Sequence, residues 1–411
     1  MEECITVIGH KNPDTDSIAS SLAYAELKRK LGFNAIAGRL GTLNEETKFA
    51  TRYFNIDAPN VIKDARKTLG EIKVDEPVLI HYKKSCNDAL KKVIQTNNKT
   101  LFVVNDNEEL VGITSVSDLS SLRLMPKEKR DHLFQNTNLE LINHDLNGEL
   151  VYKSENFSSN GIVNVASIST FDYLDVVSHS VFILPVNEEL AYKAIASKAA
   201  CLIFAHGDEL SRELIEEAKR HDVSIIKTNS SIMDIAMNIY EAIPVSSIMS
   251  TNIKTYQKDE YVDDVAKSIV NTRFRSYPVL DGKKILGAVS RYHLFKYPRR
   301  KLILVDHSSK AQSIDNIDSA EIVEIIDHHH IGNIETNKPI YYRNQCCGCT
   351  CTIIFQMYKE NGLLPCKSVA GMMLSAIISD TLNFKSETTR NEDIEAAKQL
   401  AKIAEVDLDT Y

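Results

Sequence analysis

Hydrophobic and polar positions at the start of the chain follow a strand pattern and then a helix pattern. The run Ile5–Ile8 predicts a buried strand, and apolar residues recur at helical spacing from about Ser17. A strand, a polar loop and a helix in this order are typical of a parallel α/β sheet. The loop contains Asp14 and Asp16, so the pattern places two carboxylates at the carboxyl end of the strand, where open sheets bind ligands.

The same pattern returns near residue 301. The apolar runs 303–305 and 322–326 lead into Asp306-His307 and Asp327-His328-His329-His330, and a later apolar helix ends at Ser379-Asp380. Because the carboxyl ends of parallel strands share one edge of a sheet, these side chains are expected to meet those that follow the first strand. The residues between the two halves of the pattern are interpreted as an insertion.

The insertion contains an internal repeat. Residues 74–119 and 248–294 both follow the order helix, strand, turn, strand, helix. They flank residues 126–243, in which the apolar runs 161–167 and 181–184 predict strands of a further α/β segment. The predicted fold class is therefore α/β, with a parallel sheet interrupted by a repeated module that surrounds a third α/β segment.

The polar residues at the predicted sheet edge have the chemistry of a metal site. Four carboxylates and two imidazoles suit Mn²⁺, Co²⁺ or Mg²⁺ better than ions that prefer thiolates. If two of the Asp residues bridge, there are enough ligands for two ions, and such a pair activates a water and holds phosphoryl oxygens during an in-line attack. The candidate ligands are His10, Asp14, Asp16, Asp306, His328 and Asp380.

Each of these residues also has a simpler structural explanation. Asp16 fits an N-cap of a helix that begins at Ser17, Asp14 fits a turn, and His10 alone is more often a hydrogen-bonded polar residue. Asp380 is harder to explain structurally, because a carboxylate at a helix C-terminus faces the negative end of the helix dipole. The combination of all six residues favours the metal site.

Composition and charge narrow the function classes. The chain has 411 residues, enough for several domains, and a formal net charge of -8, which argues against a nucleic-acid-binding protein. No apolar run approaches the ~20 residues of a membrane span, and the acidic N-terminus lacks the pattern of a signal peptide. A cytoplasmic protein without nucleic-acid or membrane partners is expected.

Eight cysteines without an extracellular signal are expected to be reduced thiols. Four of them lie at positions 346, 347, 349 and 351, and this spacing matches neither paired CxxC zinc sites nor ferredoxin patterns. We interpret them as small residues that pack at the start of a helix.

The motifs at the predicted sheet edge resemble those of the DHH phosphoesterase superfamily, and specifically those of family II inorganic pyrophosphatases. The resemblance rests on Gly9–Ile18, Val305–His307, Asp327–His329 and Ser379–Ser386, which appear in the family's order. It implies a DHH domain and a manganese-type inorganic diphosphatase, which hydrolyses pyrophosphate to two phosphates with Mn²⁺ or Co²⁺, and also Mg²⁺, as cofactors.

The resemblance also implies a role for each candidate residue. One ion is expected on His10, Asp14, Asp306 and Asp380, and the second on Asp16, Asp306, His328 and Asp380. The expected catalytic residues are Asp14, Asp306 and His329. Of these, His329 would contact the phosphate or the leaving oxygen.

Four further positions follow from the same resemblance. His307 and Gln312 are expected to orient ligands from behind. Ser308-Ser309 departs from the Asn-Glu that is usual in the family. This departure is expected to change the residues around the metal ligands and to leave the ligands themselves unchanged.

The inserted repeats resemble a pair of CBS domains, and the segment between them resembles a DRTGG domain. The implied organisation is a DHH domain in two parts at 1–65 and 301–411, CBS domains at 66–125 and 244–300, and a DRTGG domain at 126–243. CBS pairs typically bind adenine nucleotides, so AMP, ADP, ATP or diadenosine polyphosphates are the expected regulators of a homodimer.

The expected nucleotide contacts follow from the CBS resemblance and from residue chemistry. Ser115 and Asp118 match the ribose-binding Ser/Thr-x-x-Asp positions, whereas the second repeat keeps Ser290 but has His293 in place of the acid. Charge or aromatic character adds three candidates to these, namely Arg275, Tyr277 and Arg291. The alternative is that the repeats form a dimer interface without a ligand.

Family II enzymes close a second domain, DHHA2, over the metals, and a Ser-Arg-Lys-Lys-type motif of that domain grips pyrophosphate. No Arg-Lys-Lys cluster follows Asp380. We therefore expect this domain to be absent and residues 1–411 alone to hydrolyse pyrophosphate weakly or not at all. Two alternatives stay open: a metal-binding adenine-nucleotide sensor without catalysis, and another DHH phosphoesterase that acts on nucleotides.

Overall fold

The computed structural model describes residues 4–169, 171–174, 177–207, 209–272, 274–408 and 410–411. The chain forms two compact units. The first comprises the chain up to Lys73, Asp259–Val270 and His293–Tyr411, and the second comprises Val74–Lys258 and Asn271–Tyr292. The first unit is thus interrupted in sequence by the second, while the five domain boundaries given above stay a prediction.

The strands are short, and most of them have apolar, buried sequences. In chain order the described strands are β1 (Ile5–Ile8), β2 (Ala35–Arg39), β3 (Asn60–Val61), β4 (Leu79–His81), β5 (Thr100–Val104), β6 (Leu110–Ser115), β7 (Glu149–Tyr152), β8 (Val163–Val165), β9 (Val181–Leu184), β10 (Cys201–Phe204), β11 (Ser224–Lys227), β12 (Tyr256–Gln257), β13 (Tyr277–Asp281), β14 (Lys284–Val289), β15 (Lys301–Val305), β16 (Glu321–Asp327) and β17 (Tyr341–Asn344).

Helices connect these strands in both units. The described α-helices are α1 (Thr15–Lys30), α2 (Glu45–Tyr53), α3 (Cys86–Thr96), α4 (Val116–Leu124), α5 (Lys127–Phe134), α6 (Leu139–Asp145), α7 (Glu188–Ala196), α8 (Arg212–Arg220), α9 (Ile232–Asn238), α10 (Val262–Ile269), α11 (Arg291–Phe295), α12 (Thr350–Glu360), α13 (Lys367–Asp380) and α14 (Asn391–Ala404).

The first unit is built on a six-stranded parallel sheet with the order β17-β16-β15-β1-β2-β3. Alternate residues of β1 and β15 enter two hydrophobic cores: Val7 and Ile303 belong to one, and Ile8 and Leu304 to the other. Burial on both faces is what the continuous apolar runs predict for parallel strands. The predicted α/β class is confirmed, and the carboxyl ends of β1, β15 and β16 are neighbours.

Helix α1 begins at Thr15, two residues before the predicted start at Ser17. Its N-cap is Asp14, whose Oδ1 accepts a hydrogen bond from the Ser17 backbone N at 2.9 Å. The interpretation of Asp16 as the N-cap is therefore wrong. Asp16 lies in the first turn and is fully buried, because α1 shares a core with residues of α12 and α13.

Most of the predicted repeat lies in the second unit, whereas α10 and the end of α11 belong to the first unit. In chain order β4, α3, β5, β6 and α4 form one copy, and β12, α10, β13, β14 and α11 form the other. Each copy has a three-stranded sheet, β4-β5-β6 and β12-β13-β14. The order helix, strand, strand, helix is confirmed, and a short parallel strand precedes each copy.

The segment between the repeats forms a five-stranded sheet with the order β7-β11-β10-β9-β8, in which only β7 is antiparallel to its neighbour. The predicted strands at 161–167 and 181–184 correspond to β8 and β9. Apolar residues of β5, β9 and β10 belong to a common core with those of α6. Of the helices in the described ranges, none has both the length and the hydropathy that crossing a bilayer requires.

Candidate metal centre

Asp306 lies at the centre of the predicted site, directly after β15. Its side chain is 1% exposed, and its two oxygens face two imidazoles: Oδ2 lies 3.3 Å from His10 Nε2, and Oδ1 lies 3.5 Å from His328 Nε2. The backbone of Asp306 has φ +62°, an uncommon conformation for a residue with a Cβ. Such strain clusters at functional sites, and here it accompanies a carboxylate placed between two candidate ligand groups.

On one side of Asp306 lie His10 and Asp14. His10 Nε2 is 3.3 Å from Asp14 Oδ2, and ligand atoms of these three residues lie within 4.8 Å of one another. The loop that carries them passes close to α1, since a Cβ on Gly9 would lie 1.9 Å from Ser17 Oγ. Only glycine allows this approach.

On the other side, ligand atoms of Asp16, His328 and Asp380 also lie within 4.8 Å of one another. His328 Nδ1 lies 3.1 Å from the Cys347 carbonyl oxygen, so this contact turns Nε2 towards Asp306. The Asp16 carboxylate accepts hydrogen bonds from the Thr350 backbone N at 2.7 Å and from the Cys351 backbone N at 3.1 Å. The amino end of α12 therefore fixes Asp16.

Asp380 is the last residue of α13, as the sequence indicates. Leu382, Asn383 and Phe384 follow with φ of +49°, +53° and +66°. Three successive residues in the left-handed region are strained for side chains with a Cβ, so packing around this turn must hold it. The strained turn lies directly after a candidate ligand.

The electrostatics of the cluster favour added positive charge. Burial and the charges of Asp16, Asp306 and Asp14 raise the pKa of Asp380 to about 10. Burial alone would lower the pKa of His10, but its hydrogen bond to Asp14 and the nearby carboxylate of Asp306 raise it to about 10. The carboxylates thus compete for protons at neutral pH, which is the condition that divalent cations relieve.

Geometry also fits metal ions. Asp306 Oδ2 is buried and accepts no hydrogen bond. Nitrogen and oxygen ligands about 2.1 Å from one ion lie about 3 to 3.5 Å apart, which matches the separations of His10 from Asp14 and Asp306. The described residues therefore suit a pair of ions that share Asp306.

A cavity of about 370 Å³ opens beside these ligands. It is lined by Asp14, Asp306, His328, His329, Cys346, Cys347, Gly348, Asp380, Thr388 and Arg390. The residues come from the sheet edge, the start of α12 and the segment between α13 and α14. The lining combines acids at one end with imidazole and guanidinium groups, so it suits an anion that also binds cations.

Two residues of this site lack a role in the sequence-based interpretation. Asp327 Oδ1 accepts hydrogen bonds from the backbone N atoms of His328 and His329, at 2.9 and 3.1 Å, and lies 3.0 Å from His329 Nδ1. It belongs to the Asp-His-His motif, so the sequence offered a signal. Arg390 had no such signal, because it is the N-cap of α14 and lies outside the quoted motifs.

Known proteins match this chain over most of its length. The model of the DHH family, N-terminal domain, matches residues 4–377. The chain belongs to the DHH family. A cobalt-dependent inorganic pyrophosphatase of Clostridium perfringens is 32% identical over 416 residues, which cover 100% of this chain and 76% of the relative. A probable manganese-dependent inorganic pyrophosphatase of Thermotoga maritima is 29% identical over 415 residues, with 100% and 75% covered.

The fold of the insert in this DHH protein also has a solved counterpart. The CBS and DRTGG domains of the regulatory region of Clostridium perfringens pyrophosphatase, complexed with the activator diadenosine tetraphosphate, match 55% of this chain and 99% of that chain. The TM-score is 0.51 and the sequence identity is 23%. The resemblance of the second unit to CBS and DRTGG domains is therefore confirmed at the level of fold.

The two residues expected to orient ligands, His307 and Gln312, differ in burial. His307 is buried, with Nδ1 3.0 Å from the Val305 carbonyl oxygen and Nε2 3.2 Å from Ser313 Oγ, so it braces its own loop. Burial lowers the pKa of His307 to about 4, which keeps the ring neutral. Gln312 is exposed, and its carbonyl oxygen accepts a hydrogen bond from the Lys11 backbone N at 2.8 Å. Its side chain makes no described hydrogen bond to a candidate ligand, so the orienting role stays a prediction.

Ser308, which departs from the family pattern, is buried and links two loops through hydrogen bonds. The Gly332 backbone N donates a hydrogen bond to Ser308 Oγ at 2.9 Å. Ser308 Oγ also donates to the His330 carbonyl oxygen at 3.3 Å. The loop after β15 is thus tied to the loop after β16.

Three of the four clustered cysteines pack at the start of α12 as expected, whereas Cys346 is exposed. Cys349 is its N-cap, and Cys347, Cys349 and Cys351 are buried thiols without a disulfide. Burial raises the pKa of Cys351 to about 12 and that of Cys349 well above its ordinary value. Neutral thiols are poor metal ligands, which fits a packing role.

The predicted nucleotide contacts divide into two groups. Ser115 and Asp118 form a capping box of α4, with Ser115 Oγ 2.7 Å from Asp118 Oδ2. Tyr277 is 1% exposed and packs against Tyr256, so its ring belongs to the core and presents no open face. Arg291 donates to the Thr272 carbonyl oxygen.

A pocket of about 260 Å³ in the second unit contains the remaining two candidates. Arg275 and Ser290 line it, together with Asp75, Glu76, Val78, Asn97, Asn98, Lys99, Thr100, Phe102, Ser276 and Ala288. The pocket combines residues of both repeats. Two of the six predicted contacts therefore share a cavity, and it also contains polar residues of the first repeat that sequence reasoning missed.

We expect Asp380→Asn to stabilise the metal-free protein, and increasingly so as the pH rises. The fold raises the pKa of Asp380 from 3.8 to about 10, so the folded state binds more protons than the unfolded chain between these values and loses stability with rising pH. An amide removes that loss. Thermal unfolding with a chelator present, from about pH 5 to about pH 9, measures the difference from the wild-type protein.

Asp318→Asn, at an exposed carboxylate of the same unit, is the matched control and should leave this difference near zero. With Mn²⁺ present the order should reverse, because the Asp380→Asn variant has lost a ligand. A variant less stable than the wild-type protein at every pH without metal would contradict the crowding of like charges.

Proposed function

We propose that this protein hydrolyses inorganic pyrophosphate to two phosphates, with two divalent ions, Mn²⁺ or Co²⁺, as cofactors. The observation that carries the proposal is the placement of the Asp306 carboxylate between His10 and His328, at 3.3 and 3.5 Å. Two DHH relatives that align over the whole chain are named as cobalt-dependent and manganese-dependent inorganic pyrophosphatases, which supports the same substrate here.

The proposed ligands divide between the two sides of Asp306. His10, Asp14, Asp306 and Asp380 would hold one ion, and Asp16, Asp306, His328 and Asp380 would hold the other. Oxygen donors with imidazole nitrogens suit Mn²⁺ and Co²⁺. When bound, such ions supply an activated water and positive charge for phosphoryl oxygens.

The protein's own residues position the substrate and its charge. His329 is half exposed at the cavity, and its hydrogen bond with Asp327 raises its pKa above the ordinary value, so that the ring carries positive charge more readily near neutral pH. With Nδ1 on Asp327, Nε2 is left to donate to an oxygen of pyrophosphate or of the departing phosphate. A fixed donor of this kind stabilises the charge that develops there.

Arg390 supplies the second cationic group of the cavity wall. Its Nη1 donates to the Glu387 and Thr389 carbonyl oxygens, both at 3.0 Å, which anchors one edge of the guanidinium. The group lines the cavity together with Thr388 and is positioned to bind a phosphate of pyrophosphate. Among the described lining residues it is the single Lys or Arg, so weak substrate binding by residues 1–411 stays a prediction.

Regulation by an adenine nucleotide is proposed for the second unit. The pocket lined by Arg275 and Ser290 offers a guanidinium for phosphate and a hydroxyl for ribose. The matching regulatory region of Clostridium perfringens pyrophosphatase is described with its activator, diadenosine tetraphosphate. AMP, ADP, ATP and diadenosine polyphosphates are therefore the ligands to test, in a protein that we propose to be a cytoplasmic homodimer.

The proposed reaction predicts metal-dependent phosphate release from pyrophosphate. Asp306→Asn should reduce it at least about 100-fold, because changes to residues that only support ligands cost up to about that much. The assay compares pyrophosphate with dinucleotides at saturating Mn²⁺ or Co²⁺, with Asp318→Asn as the matched control. Preference for dinucleotides would contradict the substrate, and nucleotide binding without any turnover would favour the sensor alternative.

Arg390→Ala should raise the KM for pyrophosphate about 10-fold or more with a smaller change in kcat, because a charged hydrogen bond to the substrate contributes about 1.5 to 3 kcal/mol. Arg390→Lys should recover part of the loss. Lys398→Ala, at an exposed position on α14 outside the cavity lining, is the control. An unchanged KM in the alanine variant would remove Arg390 from the substrate site.

Arg275→Ala should weaken the binding of AMP or diadenosine tetraphosphate about 10-fold, as measured by calorimetry on residues 1–411. Lys283→Ala, an exposed cation of the same unit outside the pocket lining, should leave the affinity unchanged. Equal affinities in all three proteins would exclude this pocket. If regulation is allosteric, a pyrophosphate analogue must change nucleotide affinity by the same factor as the nucleotide changes analogue affinity.

A further inference from the structure

A second cluster of metal-ligating side chains lies in the second unit, apart from the DHH site. Asp88 lies in the first turn of α3, and His144 and Asp145 are the last two residues of α6. Ligand atoms of the three side chains all lie within 4.8 Å of one another. His144 Nε2 is 3.2 Å from Asp88 Oδ1 and 3.9 Å from Asp145 Oδ1. The cluster therefore joins a helix of the first repeat to a helix of the middle segment.

Asp145 is the feature that needs an explanation. Its side chain is 1% exposed, and neither carboxylate oxygen accepts a hydrogen bond within ordinary distance. A buried carboxylate that accepts no hydrogen bond destabilises the fold, because its charge is desolvated without compensation. Burial raises the pKa of Asp145, and weak polar interactions with the side chains of Ser85 and Asn87, which do not reach hydrogen-bond geometry, oppose that rise only in part.

The position of Asp145 on its helix adds to the cost. A carboxylate at the C-terminal residue of α6 faces the negative end of the helix dipole. Asp88 Oδ2 is also buried without a hydrogen bond, and the one lysine near it in the described structure, Lys84, keeps its Nζ 3.6 Å away on a largely exposed side chain. Both carboxylates of the cluster thus have buried oxygens that accept no hydrogen bond.

We propose that Asp88, His144 and Asp145 bind a divalent cation of the borderline class, such as Co²⁺ or Zn²⁺. Two carboxylates and one imidazole are ligands that these ions accept, and three protein ligands leave further positions for water. The ion supplies the positive charge that the end of α6 lacks and links α6 to α3. The site is independent of the proposed pyrophosphatase reaction.

Two other arrangements could satisfy the same oxygens. A proton shared between the two carboxylates would neutralise one of them, and an ordered water could donate to both. Neither arrangement binds an ion, so metal stoichiometry distinguishes them from the proposal.

The test is the number of Co²⁺ ions bound per chain by residues 1–411, measured by equilibrium dialysis and elemental analysis. Asp145→Asn keeps the shape of the side chain, and His144→Ala removes a ligand whose side chain is 55% exposed and tolerates change. Both variants should bind one ion fewer than the wild-type protein. His221→Ala removes an exposed imidazole that pairs with Glu217 on α8, and it should bind as many ions as the wild-type protein.

The Asp306→Asn background separates this site from the DHH site. Adding Asp145→Asn to it should still lower the Co²⁺ count by one, and the d–d absorption of that ion should disappear with it. Wild-type counts in both the Asp145→Asn and the His144→Ala variants would overturn the proposal. An equal loss in His221→Ala would overturn it as well, and His144→Ala decides if Asp145→Asn fails to fold.

Discussion

Repulsion among buried carboxylates is the constraint on which the first unit depends. Asp16, Asp306 and Asp380 come from distant parts of the chain and meet at one edge of a parallel sheet, with two imidazoles as the neighbouring positive groups. Hydrophobic packing of α1, α12 and α13 supplies the stability that allows this arrangement. The packing holds the negative charge in place, and the charge is what gives the edge its affinity for cations.

Much of this edge could be predicted from the sequence, because its signals are local. The same pattern, an apolar strand followed by Asp-His, occurs at β15 and at β16. Parallel topology brings the carboxyl ends of such strands together. The first loop was harder to assign from sequence. Asp14 and Asp16 both fit a helix cap, and only the hydrogen bond from Ser17 shows that Asp14 is the cap and Asp16 the buried acid. Arg390 depends on tertiary structure alone.

In the insert, residue type predicts the role of a side chain less well than it does at the metal centre. Asp118 matches a predicted ribose-binding position, yet it also belongs to the capping box of α4, and both roles require the same side chain. Tyr277 has the ring of a stacking residue but the burial of a core residue. Asp145 had no signal, since an aspartate near a helix end is ordinary until its burial is known. For Tyr277 and Asp145, the neighbours that surround the side chain are distant in sequence.

The position of β1 inside its sheet has a consequence for synthesis of the chain. β1 pairs with β2, which follows soon after it in the sequence, and with β15, which the ribosome makes only after the entire second unit. The first strand and its acidic loop therefore emerge long before β15, while the second unit can already acquire its own core. The ligand set is complete only once α13 has left the ribosome, so cation loading at this edge is a late event in the life of the nascent protein.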